Sequence, residues 1–423
     1  MPDTLIQKVL RGRSSGSVNV GDIAICDVDL AVLIDIQFRH GRLEDIVALH
    51  DPDKVVVVLD HAVPAPSISD AEYGKKARAF AAEHGITRFY DVGRHGIVHQ
   101  VVAERGLARP GTILACTDSH TCAAGAFATA ARGLGPAEVI QILCTGQTWH
   151  NVPPTIRYEL DGLKHEWVNG KDIFLHIAGN YGDATGHAVE FGGPGVASLP
   201  IADRRTIATQ GAEIGADFTL FPADATCLDY LSSVTPADSV APGDDLRELD
   251  ADPGADYAAV RTVGLGDIGP MVALPGGVID NAQPAGKLAG TRVDQAFIGS
   301  CANGQLPDLE TAARVLRGRQ VAPGTRLIVT PASQQVYARA SRLGYLADLA
   351  EAGAVVTNPT CGACFGYHMG VVAAGENCIT ASTRNFKGRM GSPDASVFMA
   401  SPATVAASAV RGTITDVREV MEA

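Results

Sequence analysis

Residues 297–304 read F-I-G-S-C-A-N-G, and residues 358–370 read N-P-T-C-G-A-C-F-G-Y-H-M-G. In each stretch the cysteines follow a short apolar, strand-like run and lie in a turn built from Gly, Pro and Asn. Similar apolar runs at 54–59, 112–116 and 326–330 alternate with Ala-, Leu-, Glu- and Arg-rich helical segments. Short buried strands that alternate with helices indicate a mostly parallel sheet covered on both faces. The sequence therefore predicts an α/β fold.

The three cysteines of these stretches, Cys301, Cys361 and Cys364, form a C-x59-C-x2-C set. Three thiolates are one fewer than the four that close a structural zinc or iron–sulfur site. A metal held by three protein ligands keeps one position open, where it can coordinate substrate or water as a Lewis acid. Two other interpretations stay open, namely three unrelated thiols or a C-x-x-C redox pair.

Length and composition restrict the class of protein. A chain of 423 residues exceeds one ordinary core, so two to four domains are expected. A net charge of −13 argues against partners such as nucleic acid and anionic membranes. Nine cysteines are too sparse and too odd in number for a secreted disulfide framework. The N-terminal residues lack the apolar core of a signal peptide, and no apolar run approaches a membrane span. We therefore expect a reduced, cytoplasmic protein.

Composition also suggests where domains divide. Residues 236–253 are rich in Asp, Pro and Ala, and residues 270–290 are rich in Gly, Pro and Ala, so we expect them to bracket a domain boundary. A second boundary is expected near residue 150. The predicted domains are therefore 1–150, 151–285 and 286–423.

Two polar motifs follow predicted strands. Asp60 and His61 come after the run 54–59, and Asp118, Ser119 and His120 come after the run 112–116. Either motif would also serve as a turn or as the cap of the next helix. A carboxylate beside an imidazole is, however, a common way to build a proton donor near neutral pH. Because open α/β sheets place ligands at the carboxyl ends of their strands, we expect these loops and the cysteine loops to form one site.

Four further residues are candidates for binding or catalysis. His99 in G-I-V-H-Q would also suit a buried structural histidine, and Glu190 is a charge inside an apolar strand that needs a partner. Arg384 and Arg389 lie five residues apart in a Gly-containing loop. A solvated surface loop is the plain alternative, but guanidinium groups suit bidentate binding of carboxylates. Together with an open metal site, these groups match the loss or addition of water on a hydroxy-polycarboxylic acid.

Five motifs, in this order, resemble those of the aconitase superfamily. They are V-L-D-H at 58–61, T-D-S-H-T at 117–121, G-S-C-A-N-G at 299–304, P-T-C-G-A-C at 359–364 and R-N-F-K-G-R at 384–389. The resemblance covers essentially the whole chain and is strongest to the large subunits of the isopropylmalate dehydratase and homoaconitase group.

The resemblance implies a three-domain aconitase-like α/β/α architecture without the C-terminal swivelling domain. It further implies a [4Fe–4S] cluster on Cys301, Cys361 and Cys364, and a hydro-lyase reaction on a small hydroxy acid. No S-S-R-E motif, which in this family carries the serine that removes the carbon-bound proton, occurs in the sequence. We therefore expect a partner, a small subunit that carries the swivelling domain and the catalytic serine.

The resemblance also assigns roles to the candidate residues. The catalytic group, which handles the leaving hydroxyl and lines the metal-bound water, comprises Asp60, His61, Asp118, His120 and Glu190. The substrate-binding group comprises His99, Ser119, Arg384 and Arg389.

The substrate is expected to be 3-isopropylmalate, a step of leucine biosynthesis, with several alternatives open. Ile34 stands where relatives carry Gln or His, and Tyr367 adds bulk beside the cysteine loop. These departures favour a dicarboxylic acid of the malate type over larger tricarboxylates. A related hydro-lyase acting on methylated malates, citraconate, maleate or homoaconitate is the enzymatic alternative. A regulatory subunit that binds a cluster without turnover is the non-enzymatic one.

Overall fold

The computed structural model describes residues 2–40, 42–234 and 246–422. The chain divides into two units. Unit 1 comprises Met1–Gly162 and Ala184–Val263, and unit 2 comprises Leu163–Asp183 and Gly264–Ala423. Part of the predicted boundary segment, 236–245, lies outside the described residues. The division into domains 1–150, 151–285 and 286–423 stays a prediction.

The strands of the described residues are short, as expected for an α/β protein. They are β1 (Ile23–Asp27), β2 (Leu30–Ile34), β3 (Val55–Val58), β4 (Arg88–Tyr90), β5 (Ile113–Cys116), β6 (Ala130–Gly133), β7 (Gln147–Asn151), β8 (Thr155–Asp161), β9 (Ala188–Gly192), β10 (Phe218–Leu220), β11 (Ala259–Gly264), β12 (Met271–Ala273), β13 (Ala282–Pro284), β14 (Gln295–Ile298), β15 (Arg326–Val329), β16 (Val355–Val356), β17 (Asn377–Thr380) and β18 (Ser396–Ala400).

Helices connect most of these strands. The α-helices are α1 (Leu5–Arg11), α2 (Ile68–Glu83), α3 (Val98–Glu104), α4 (Pro136–Thr145), α5 (Gly170–Tyr181), α6 (Ile201–Gln210), α7 (Ala225–Ser233), α8 (Ser300–Asn303), α9 (Leu306–Leu316), α10 (Gln334–Arg342), α11 (Tyr345–Glu351), α12 (Pro402–Arg411) and α13 (Arg418–Met421). Short 3₁₀ helices that matter for the site are Asp35–His40, Ser119–Phe127, Gly211–Ile214 and Gly362–Phe365. None of the described helices is long and apolar enough to cross a membrane.

Unit 1 is built around a five-stranded sheet with the order β4-β3-β2-β5-β6, in which every neighbouring pair is parallel. All four residues of β3 are buried valines, as expected for a strand covered on both faces. Because parallel strands end at the same edge, the residues that follow β2, β3 and β5 share one edge of this sheet. Unit 1 also contains the sheet β10-β9-β8-β11 and the two-stranded sheet β1-β7.

The 3₁₀ helix Ser119–Phe127 follows β5 and packs against β10, which belongs to another sheet of unit 1. The Asp118 side chain caps it by accepting a hydrogen bond from the His120 N–H at 2.8 Å. Further along, the Gly125 carbonyl accepts a hydrogen bond from the Phe221 N–H at 2.9 Å. A Cβ atom on Gly125 would overlap the carbonyl of Thr219 in β10, so only glycine permits this approach.

Unit 2 contains a seven-stranded sheet with the order β13-β12-β18-β17-β14-β15-β16. The five strands from β18 to β16 are parallel, and β12 and β13 extend the sheet in antiparallel fashion. Buried aliphatic side chains of α12 pack against β14 and against α9, and together they form the main core of the unit. The loops after β14, β16 and β17 share one edge of the sheet. The predicted α/β fold with mostly parallel sheets is therefore confirmed.

Candidate active site

Asp60 and His61 follow β3 at the carboxyl edge of the five-stranded sheet and are both buried. Asp60 accepts a hydrogen bond from the Val98 N–H, at the start of α3, at 3.0 Å. The His61 Nδ1 atom lies 3.6 Å from Asp60 Oδ2 and 3.7 Å from Asp35 Oδ1. The structure therefore sets this imidazole between two carboxylates.

Asp118 lies at the centre of the polar cluster of unit 1. Its Oδ1 atom accepts a hydrogen bond from His99 Nε2 at 2.8 Å and lies 3.6 Å from His120 Nδ1. Its Oδ2 atom lies 3.8 Å from His61 Nε2. One carboxylate thus contacts imidazoles from α3, from the loop after β3 and from the 3₁₀ helix after β5.

Two carboxylates outside the predicted motifs also belong to this cluster. Asp35, directly after β2, accepts hydrogen bonds from the N–H groups of His61 at 3.1 Å and Ala62 at 2.7 Å. Glu213, in the 3₁₀ helix after α6, pairs through Oε1 with His120 Nε2 at 3.0 Å. Asp35 could have been found, since it follows an apolar strand run as Asp60 does. The sequence around Glu213, G-A-E-I-G, gives no comparable signal.

The protonation states in the cluster differ sharply. Burial, reinforced by the charges of Asp35 and Asp118, raises the pKa of Asp60 to about 7 although His61 opposes the shift. Burial alone would raise the pKa of Asp118 as well. Hydrogen bonds with His120 and His99 outweigh burial and hold the pKa of Asp118 well below its usual range. Burial lowers the pKa of His99, and the hydrogen bond to Asp118 offsets this decrease only in part. Near neutral pH the cluster can therefore hold a proton on Asp60 while Asp118 stays charged.

The two remaining predicted residues of unit 1 have different surroundings. Ser119 is exposed at the start of its 3₁₀ helix. Glu190 is fully buried in β9, where Oε1 accepts a hydrogen bond from the Ile6 N–H at 2.8 Å. Its other oxygen lies 3.4 Å from the Tyr257 hydroxyl. These contacts join Glu190 to helix α1 rather than to the histidines, and its catalytic role stays a prediction.

In unit 2 the three cysteines lie in loops at the carboxyl edge of the seven-stranded sheet. All three are buried, and none of them forms a disulfide bond. Cys301 lies in α8 directly after β14, and the residue before it, Ser300, has a φ of 82°. A non-glycine residue in this region stores about 1–3 kcal/mol of strain, which is characteristic of functional turns. The Cys364 N–H donates to the Cys361 carbonyl at 3.0 Å, so these two residues share one tight turn.

The loop after β17 carries both predicted arginines of unit 2. Arg389 Nη2 lies 3.9 Å from the Cys364 sulfur, and the Arg389 guanidinium packs over the Phe386 ring at 5.8 Å. The Thr383 hydroxyl also lies 3.9 Å from the Cys364 sulfur. Arg384 is half-buried in the same loop. The loop therefore places donors and a positive charge beside one cysteine of the set.

Four of the six other cysteines of the chain are buried thiols whose pKa is raised. Burial raises the pKa of Cys26 to about 11 and that of Cys116, Cys227 and Cys378 to about 12. Thiolates, not thiols, bind metals. Among the described residues, no three His, Cys, Asp or Glu side chains converge as they would around a single metal ion. A cubane cluster binds each cysteine to a different iron, so its ligands need not converge on one point.

Comparison with known proteins gives a consistent assignment. The family described as "Aconitase family (aconitate hydratase)" matches residues 39–283 and 277–412. The 3-isopropylmalate dehydratase large subunit of Mycolicibacterium smegmatis is 60% identical over 99% of this chain and 97% of that protein. The 3-isopropylmalate dehydratase large subunit 1 of Methanopyrus kandleri is 42% identical over 99% of each chain. A probable methanogen homoaconitase large subunit from Methanothermobacter thermautotrophicus is 41% identical over 94% of this chain and 93% of that protein.

The surroundings of Glu190 predict a pH-dependent contribution to stability. Burial raises the pKa of Glu190 to about 7, so the folded protein binds its proton more tightly than the unfolded chain does. Stability is then lost as pH rises from about 4.5 to about 7, because the unfolded state ionises first. Glutamine does not ionise, so the free energy of unfolding of Glu190→Gln, relative to that of wild type, should rise by about 2 kcal/mol from pH 5.5 to pH 8.

Urea unfolding of both proteins at the two pH values measures this difference. Glu248→Gln, which changes an exposed glutamate of the same unit, is the control. A Glu190→Gln stability difference that is equal at both pH values would contradict the assignment.

Proposed function

The chain belongs to the aconitase family, a family of hydro-lyases, and from that premise we propose that it is the large subunit of a 3-isopropylmalate dehydratase. It would interconvert 2- and 3-isopropylmalate by removing and re-adding water. The observation that carries this proposal is the buried cluster of unit 1, with Asp60, His61, His99, Asp118 and His120 in mutual contact.

The cluster has the groups that loss of a hydroxyl needs. A hydroxyl leaves as water once it receives a proton, and an acid with a pKa near the working pH delivers that proton best. Asp60, with a pKa of about 7, meets this condition, and His61 lies within 3.6 Å of it to pass the proton on. Asp118 stays anionic and orients the rings of His99 and His120. In this proposal Asp60 and His61 act on the leaving hydroxyl and the other three groups hold them in place.

We further propose that Cys301, Cys361 and Cys364 hold a [4Fe–4S] cluster. The donor set fits, since the three thiols are buried, lie at one sheet edge and have a guanidinium and a hydroxyl beside Cys364. When bound, such a cluster supplies a Lewis acid with one coordination position left open. Arg384 and Arg389 would bind substrate carboxylates through bidentate hydrogen bonds. Ser119, exposed next to Asp118, would contribute a further hydrogen bond to substrate.

A second chain completes the proposal. The relatives are named large subunits, and this chain covers 97% and 99% of the two isopropylmalate dehydratase subunits. We propose a small subunit that carries the swivelling domain and the serine that removes the carbon-bound proton. Homoaconitate is the alternative substrate, because a homoaconitase large subunit is also 41% identical. The contacts within the acid–base cluster support an enzyme over a regulatory subunit.

Substrate turnover tests the function directly. We expect the chain, reconstituted anaerobically with its small subunit, to dehydrate 3-isopropylmalate with a kcat/KM at least about tenfold higher than for methylated malates, citrate or homocitrate. The absorbance of the unsaturated product measures the rate. The large subunit alone, at the same iron content, is the control and should be inactive. Turnover of homocitrate above 3-isopropylmalate would instead select the homoaconitase alternative, and full activity without the small subunit would refute the two-chain proposal.

Chemical analysis tests the cofactor independently of activity. Protein purified without oxygen should contain about four iron and four sulfide per chain, because a single cubane cluster is proposed. Alanine variants of Cys301, Cys361 and Cys364 should lose most of both. Cys378→Ala is the matched control, since Cys378 is buried in the same small core as Cys361 and Cys364. Zinc in place of iron, or equal loss in Cys378→Ala, would contradict the ligand set.

Two glutamate variants separate the contacts of unit 1. Glu213→Gln removes the charge that pairs with His120, so we expect kcat to fall by about 100-fold, as for loss of a group that supports proton transfer. Glu190→Gln keeps an acceptor for the Ile6 N–H, and we expect a loss below about tenfold. Steady-state kinetics of the two-chain enzyme compares them. A larger loss in Glu190→Gln would support the predicted catalytic role of Glu190.

A further inference from the structure

Lys171 is a fully buried lysine in unit 2 with an unusual position. It lies in the first turn of α5, where its N–H donates to the side chain of the cap residue Asn169 at 2.9 Å. The partial positive charge of a helix N-terminus disfavours a cation there, and removal of an ammonium group from water is costly in itself. An apolar side chain of similar length would avoid both costs, so the ammonium group calls for an explanation.

The contacts of the ammonium group lead to the loop that bears the arginines. Lys171 Nζ donates to the Ser382 carbonyl at 2.8 Å and lies 3.7 Å from the Met399 sulfur. Ser382 directly precedes Thr383, whose hydroxyl lies 3.9 Å from the Cys364 sulfur, and Arg384 comes next. The bond therefore fixes the backbone at the point where the loop turns toward the cysteine.

The neighbouring carboxylate has a structural use of its own. Asp172, also fully buried, accepts hydrogen bonds from the N–H groups of Asn169 at 3.1 Å and Met271 at 2.9 Å. These bonds cap α5 and attach it to β12. Asp172 therefore secures the helix, whereas Lys171 contacts the loop after β17.

We propose that Lys171 is a positioning residue, which holds the Ser382 carbonyl so that Thr383 and Arg384 are presented correctly, and which places a positive charge in the unit that binds anions. The inference rests on the proposed function, since the anions are the cysteine-bound cluster and the substrate carboxylates. A charge of this kind stabilises negative groups more strongly inside a protein than at its surface. It acts on substrate binding and on the ease with which the cluster accepts an electron.

Lys171→Met in the two-chain enzyme tests this role, because methionine keeps most of the length and removes the charge and the donor. We expect KM to rise by about tenfold or more, as when a charged hydrogen bond is lost, with a smaller change in kcat. The reduction potential of the reconstituted cluster, measured by redox titration with EPR detection, should become more negative.

Lys164→Met is the matched control. Lys164 belongs to the same unit and also donates to a backbone carbonyl at 2.8 Å, but the acceptor is Val168 in its own loop. Its KM and potential should equal those of wild type. Lys171→Gln keeps an N–H donor without the charge, so it should alter the potential as Lys171→Met does. It also provides the measurement should the methionine variant fail to fold.

Unchanged KM and unchanged potential in both Lys171 variants would overturn the proposal and leave Lys171 a packing residue. A potential that changes only in Lys171→Met would assign the effect to loop position rather than charge, and would overturn the second half of the proposal. Failure of the proposed reaction is distinguishable, because wild type would then lack activity on all substrates tested, while the potentials of a chain that iron and sulfide analysis shows to hold the cluster still report on Lys171.

Discussion

The hydrogen bond between the His99 ring and the Asp118 carboxylate, 2.8 Å long, is the contact on which the acid–base cluster depends. Asp118 also caps the 3₁₀ helix that carries His120 and lies close to His61. A single carboxylate therefore ties α3 to two strand ends. Its low pKa is a result of these bonds, and its charge in turn helps to keep Asp60 protonated. Orientation and protonation thus have one common cause.

Unit 2 reaches its arrangement by a different route. Tight turns at the carboxyl edge of its sheet position the cysteines and the arginine loop. The positive φ of Ser300 turns the chain sharply into α8, and the bond from Lys171 to Ser382 fixes the loop after β17. Strain and a buried charge both cost stability, and both occur next to residues of the proposed site. Their concentration there is typical of a region selected for binding rather than for stability.

Much of this could be predicted from the sequence, because parallel strands end at one edge and their apolar runs are easy to recognise. The positions directly after these apolar runs predict Asp60, His61, Asp118 and His120, which the structure brings together. It could not find Glu213 or Lys171, since both act through partners distant in sequence. Burial and pairing depend on tertiary structure, and a short local pattern carries no information about them.

The close approach of Gly125 to the Thr219 carbonyl has a consequence for how this protein can diversify. Every mutation that adds a side chain at residue 125 pushes the histidine-bearing 3₁₀ helix away from β10. Residue 125 should therefore remain glycine during evolution, and a lineage that acquires a new substrate must do so through changes in other loops. Paralogues of this chain should differ in specificity while they keep a glycine here.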